Sequence, residues 1–281
     1  MALVPLALGL LLVGFGQISI GDKGEPQNLP LALTMGSFAG TTAVYGLLAM
    51  AAAVVMLAGL ARRDHVDRSV EFWLSLPAGH AQAWTAPLLT HLVLVPVAAI
   101  VFGALAGGVL SMVLVGRTSG LAAWWALPWS ALLPGVAAVA GRLSVGMALA
   151  AIWLSPIVLL MVLLTAWLGR WGLVVLVGGF GVATAALQVL WNQPWPAQVV
   201  GYLFKQAQES VMLASGRSDV ELETPGQINA ALVHLRTWAG DDLLAAFGLL
   251  ASPSVLPVLM CSALFFAGLV WWRRQGAGTL G

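Results

Sequence analysis

The charged residues of this chain fall in islands, separated by uncharged runs at 26–61, 72–116, 118–141, 143–169, 171–204 and 243–272. Each run reaches or exceeds the ~20 residues a helix needs to cross the hydrocarbon layer of a membrane. A soluble domain has no use for that pattern. Only 8% of the 281 residues are charged and 60% are hydrophobic, where an average soluble domain is roughly one quarter charged. In lipid, every backbone N–H and C=O must find its partner inside the segment, so the expected fold is an all-α integral membrane protein. The formal net charge of +1 offers no basic face and argues against a nucleic-acid partner. One cysteine, Cys261, permits no intrachain disulfide.

The opening segment, 2–20, has no basic residue ahead of its apolar run and no obvious small-residue cleavage site, so it is taken as a first span rather than a signal peptide. Further spans are expected at 31–60, 84–115, 143–169, 171–191 and 251–272. Short cytoplasmic loops retain Lys and Arg. The island holding Arg62, Arg63 and Arg68 is therefore cytoplasmic, whereas the 21–30 turn carries one lysine. Run 118–141 leaves two layouts open. If it spans, there are seven spans and Arg170, Arg273 and Arg274 face outward. If it does not, there are six and all three face the cytoplasm, which the arginine distribution favours. Pro128 and Pro134 are expected to break a helix there, and Trp124, Trp125 and Trp129 suit the headgroup level. The six-span layout makes 118–141 an external interfacial or re-entrant stretch and places both termini in the cytoplasm.

An external segment, 192–250, separates the last two spans. Two helix-like stretches are expected in it. One is 202–216. The other starts at Thr224-Pro225-Gly226-Gln227, where Thr224 caps and Gln227 closes a capping box. Ile228, Leu232, Leu235 and Trp238 share its face, and Gly240 ends it. Asp242 is expected to cap the next turn. Amphipathic helices resting on the membrane or on a neighbouring subunit account for this composition, and nothing in it demands a substrate gate.

Motifs for chemistry are sparse. The chain carries no phosphate-cradling G-x-x-x-x-G-K-[ST] loop and no H-E-x-x-H helix, and His65, His80, His91 and His234 are scattered. Neither a metal nor a nucleotide is expected on this chain. His91 is the best single candidate for an intramembrane polar role. Pairing it with Ser144 or Ser155 as a hydrolase needs a geometry that sequence does not supply. No Asp or Glu falls inside an expected span, which disfavours an ion-driven transporter, because such proteins keep mid-membrane carboxylates for that work. A hydrophobic conduit without its own energy source remains, with energy arriving through a cytoplasmic contact.

The stretch DRSVEFWLSLPAGH, 67–80, fits that contact. Asp67 caps a short helix over 68–76, Phe72 and Leu76 share one face with Trp73 beside them, and Pro77 with Gly79 stops it. The plainer alternative is an interfacial helix anchored by its aromatics in the headgroups. This stretch resembles the coupling region of bacterial ABC transporter permeases of the ABC-2 type export family, in which a Leu-Pro closes a short cytoplasmic segment that docks into the ATPase subunit. The six-span layout, the external insertion before the last span and the closing Trp271-Trp272-Arg273-Arg274 are similar too. The likeness covers most of the chain in layout, but its specific motif is about a dozen residues.

The resemblance implies an ABC-2 type permease fold, a single transmembrane domain over 1–281, with Arg68, Glu71, Phe72, Trp73, Leu76 and Pro77 in the coupling segment at 62–80. It further implies a bacterial inner-membrane exporter subunit that pairs with a second permease chain and two ATPase subunits, which hold the ATP and Mg²⁺. This chain itself would then be no enzyme and carry no cofactor. An uncharged interior fits lipids, lipid-linked compounds or amphipathic peptides better than ions or sugars. Family members usually begin with a cytoplasmic arm and an elbow helix, whereas this sequence opens on an apolar run. Small residues at Gly103, Ala104, Ala106, Gly107 and Gly108 are expected to let helices approach closely, either within the chain or between chains. A membrane-embedded enzyme and a non-transporting assembly subunit are the competing classes.

Overall fold

The computed structural model describes residues 29–66, 80–211 and 225–278. Among these residues the chain is helical, with no strand. The elements in order are α1 (Leu29–Val66), α2 (His80–Leu89), a π-helical turn (Thr90–Leu94), α3 (Val95–Thr118) and the short α4 (Leu121–Trp125). They are followed by α5 (Trp129–Leu168), a 3₁₀ turn (Gly169–Trp171), α6 (Gly172–Trp191), α7 (Trp195–Val211), α8 (Pro225–Leu250) and α9 (Val255–Gly278). Among the described residues, four stretches are long and apolar enough to cross a membrane: Leu29–Gly59, Ala81–Thr118, Trp129–Trp191 and Val255–Trp272. The third holds two helices, α5 and α6. The protein is thus an all-α, membrane-embedded chain. The expected first span at 2–20 lies outside the described residues.

Two compact units divide the chain. The first draws on the described parts of Met1–Met50, Pro96–Gly146 and Met212–Ala245. Its tightest packing is α1 on α3. A Cβ added at Gly103 would lie 2.8 Å from the Thr42 Cα, and one at Gly107 would lie 2.7 Å from the Phe38 Cα. Only glycine permits that approach, the small-xxx-small geometry of membrane helix pairs. The glycines therefore serve packing within the chain. Thr41 Oγ1 exploits the closeness, its one proton within reach of both the Gly103 carbonyl across the contact at 2.7 Å and the Ser37 carbonyl of its own helix. Thr34 and Ser37 hydroxyls likewise donate to carbonyls four residues back, which satisfies them where no water is available.

Gly120, with φ of 87°, ends the α3 run and turns the chain into α4. Trp124 donates its indole N–H back to Ser111 Oγ at 3.1 Å, and Trp129 donates to the Trp124 carbonyl at 3.0 Å. Stretch 118–141 holds this break and then the first turns of α5. The helix starts at Trp129, ahead of the expected 143. Pro134 falls in the second turn of α5, where it removes a single backbone bond near the helix end, too little to stop a 40-residue helix.

The second unit draws on Ala51–Val95, Met147–Val211 and Ala246–Gly281. One apolar cluster gathers Leu57 of α1, Trp84 and Leu88 of α2, Val158, Leu159, Met161, Val162 and Ala166 of α5, and Leu269 of α9. A second joins Ala150 and Trp153 of α5 to Leu203 and Ala207 of α7 and Val258 of α9. Gly169, with φ of 55°, and Gly172 form the α5–α6 turn. A Cβ at Gly172 would lie 2.5 Å from the Thr165 backbone nitrogen, so a side chain there would prevent α6 from turning against the end of α5.

Prolines inside the membrane helices are compensated locally. Pro156 of α5 has no N–H to give the Ile152 carbonyl, and the neighbouring Ser155 hydroxyl donates to that carbonyl at 2.6 Å instead. Pro87 and Pro96 bracket the π turn, in which the Val95 N–H reaches five residues back to Thr90. Insertions of this type absorb the bonds that proline removes.

The segment 192–250, expected to be external, differs from expectation in detail. Its first helix, Trp195–Val211, starts ahead of the expected 202, with Pro196 tolerated in the first turn, and 212–216 lie outside the described residues. The second passes through Gly240 to Leu250. Glycine in a helix costs only about 1 kcal/mol relative to alanine, less than the packing on either side of it returns. Thr224 lies outside the described residues.

Candidate functional site

The residues assigned to coupling, Arg68, Glu71, Phe72, Trp73, Leu76 and Pro77, lie outside the described residues. Helices α1 and α2 bound them on either side. Within the described residues the most distinctive polar arrangement is one that sequence reasoning missed, an ion pair between α5 and α8 in the first unit.

Arg142 and Asp242 are both buried, with side-chain exposures of 1% and 6%. The Arg142 Nε donates to Asp242 Oδ2 at 2.6 Å. Asp242 is thus no cap. It sits within α8 on the buried stripe Ala239, Asp242 and Ala246, with Leu235 half-buried on the same side at the helical spacing of the expected face. Asp241, the adjacent carboxylate, points away and is exposed. Burying either charge alone is expensive, and the pair is tolerated because each neutralises the other through a charge-assisted hydrogen bond. A buried pair adds little net stability compared with apolar residues, and its best-attested use is to fix register. Here it sets one alignment of α8 on α5.

The other candidate side chains bond to the helix backbone. His91 Nδ1 bonds the Pro87 carbonyl at 2.8 Å. Ser144 donates to the Ala140 carbonyl. Ser155 donates to the Ile152 carbonyl and accepts, at 2.6 Å, from the hydroxyl of Ser262 on α9. These hydroxyls serve the helix backbone and the α5–α9 contact. Among the described residues no group of three or more His, Cys, Asp or Glu could hold a metal ion.

Arg142 gave one signal in the sequence, as the lone charge between residues 118 and 169. Its partner lies 100 positions away, beyond the reach of any periodicity argument. Comparison with family models, with curated proteins and with solved structures gave no match.

Proposed function

We propose that this chain is the membrane-embedded subunit of an ATP-driven exporter of the ABC-2 type, in a bacterial cytoplasmic membrane with both termini cytoplasmic. In this reading six spans form the domain, two such chains enclose the path, and two separate ATPase subunits bind ATP and Mg²⁺. Closure of the ATPases pushes the segment around Phe72 and Trp73 and rearranges the spans. A hydrophobic or amphipathic substrate suits helices that are almost wholly apolar.

The observation that carries the reading is the state of the buried carboxylate. Asp242 is held by Arg142 at 2.6 Å, and a carboxylate fixed in an ion pair is a poor carrier of protons or cations. Such a chain needs its energy from elsewhere. The polar segment between α1 and α2, with its aromatic pair and Leu-Pro stop, is the natural entry point, and the helical insertion α7–α8 ahead of α9 suits an exporter layout.

The test is to extract the tagged chain gently from its own membranes and determine the mass and composition of the complex. Two copies of this chain with two copies of a polypeptide bearing a nucleotide-binding loop are expected. A chain recovered alone, in a preparation that retains the activity of other membrane ATPases, contradicts the reading.

A further inference from the structure

We infer that one end of the second unit, where α5 turns into α6 and α9 closes, holds the phosphate headgroups of anionic phospholipids through Arg170 and Arg274. This rests on the second unit and on membrane embedding, and it stands or falls independently of any ATPase.

The two arginines share a level because α5 and α9 run side by side in the same direction. Ser155 of α5 meets Ser262 of α9 at 2.6 Å, and farther along both helices a Cβ added at Gly268 would touch the Leu163 side chain at 3.5 Å. Positions thus advance together, offset by 107 at the first contact. Carried to the end of α5, that register sets Arg170 level with the last turn of α9, less than one turn from Arg274.

That level is an edge of the hydrocarbon layer. The apolar span of α9 ends at Trp272, and α6, whose 20 residues suffice to cross on their own, begins at Gly172. Arg170 and Trp171 stand ahead of α6, and Trp271 and Arg274 stand at the close of α9. Trp167, Trp171 and Trp271 are each more than half exposed, as suits side chains at the headgroup level. On α9, Met260, Leu264, Ala267, Trp271 and Arg274 recur at spacings of four and three and are all exposed. One stripe therefore runs along the span and ends in a guanidinium.

Charge decides which headgroup fits. Arg170 and Arg274 are both exposed, and the Arg170 guanidinium lies 5.7 Å from the centroid of the Trp171 ring, a cation–π contact that steadies the side chain at this edge. Glu209 is the one acid among the described side chains of the second unit. It pairs at 3.8 Å with Lys205 on α7, which follows the other end of α6. Among the described side chains, the edge at Arg170 and Arg274 is therefore positive and the α7 pair is balanced. The planar fork of arginine matches phosphate oxygens, and basic residues at the membrane surface attract anionic lipid. A phosphatidylcholine headgroup brings its own cation to the same place, whereas phosphatidylglycerol brings none.

Native mass spectrometry of the purified chain, with phosphatidylglycerol or phosphatidylcholine titrated in, tests this in Arg170→Gln, Arg274→Gln and the double variant. The parent is expected to prefer phosphatidylglycerol, each single variant to lower that preference about fivefold, and the double variant to lower it further. Lys205→Gln removes the same charge elsewhere in the unit and should leave the preference unchanged. Because both arginines are exposed, the variants should unfold at the parent's temperature. Equal binding of the two lipids by the parent overturns the inference. A fall with Lys205→Gln as large as that with Arg170→Gln means that net charge alone is read, and the inference also fails. A double variant that keeps the parent's preference overturns it too, and if that variant has instead lost a co-purifying protein, the arginines serve an acidic protein surface.

Discussion

Arg142 and Asp242, one hundred residues apart, meet at 2.6 Å between Nε and Oδ2 with both side chains buried. Such a pair is worth little against apolar replacements but is costly to break from one side. Arg142→Ala or Asp242→Asn should each destabilise the protein by about 3–5 kcal/mol, measured by thermal or denaturant unfolding in detergent. The double replacement Arg142→Met with Asp242→Leu should recover most of the loss. If Asp242→Asn unfolds like the parent, the pair is not the desolvated tie described here.

Ser155 and Pro156 make a local compensation that can be isolated. Ser155→Ala leaves the Ile152 carbonyl without its donor, and an unsatisfied buried acceptor costs about 1–3 kcal/mol. Pro156→Ala returns a backbone N–H to the same carbonyl. The loss on Ser155→Ala should therefore be smaller in a Pro156→Ala background than in the parent. Equal losses in both backgrounds would mean that the hydroxyl matters only for Ser262.

Glycines of α3 should divide sharply by position. Gly103→Ala and Gly107→Ala each force a Cβ against α1 backbone at 2.8 and 2.7 Å, and overpacking of this kind costs about 1–3 kcal/mol. Gly108→Ala meets only the Phe38 ring at 3.6 Å and should unfold like the parent. Similar stability for all three variants would show that α1 and α3 are not in this contact.

The proposed topology puts Arg170 and Arg274 in the cytoplasm and Glu209 outside. In a Cys261→Ser background, single cysteines at 170 and 274 should resist a membrane-impermeant thiol reagent applied to intact cells and react after lysis. A cysteine at 209 should react from outside. Labelling at 170 but not at 209 from outside reverses the orientation and removes the six-span layout.

How much of this was legible follows from the kind of signal each feature emits. Charge-free runs are continuous and local, so α1, α6, α9 and the continuous helical run of α2, the π turn and α3 follow from them within a few residues. Pro134 and Gly240 misled because a breaker's cost of one hydrogen bond or about 1 kcal/mol is small beside the packing of a long helix. The Arg142–Asp242 pair was out of reach because neither residue's neighbours encode a partner on another helix. Asp242 beside Asp241 looked like a cap until the alanines at 239 and 246 placed it on a buried stripe.

The central claim is that ATP hydrolysis in a separate chain acts on this one through residues 68–77, and the most direct measurement is the affinity of the purified chain, in nanodiscs, for the ATPase that co-purifies with it. Small interfaces concentrate their energy in aromatic anchors. Phe72→Ala or Trp73→Ala should cost about 2 kcal/mol of docking, a roughly thirtyfold rise in Kd, with membrane insertion unchanged. Leu76→Ala should act in the same direction but less. Variants at 72 and 73 that insert normally, bind the ATPase with the parent's Kd and stimulate it equally would contradict the claim and leave the segment a membrane-surface anchor.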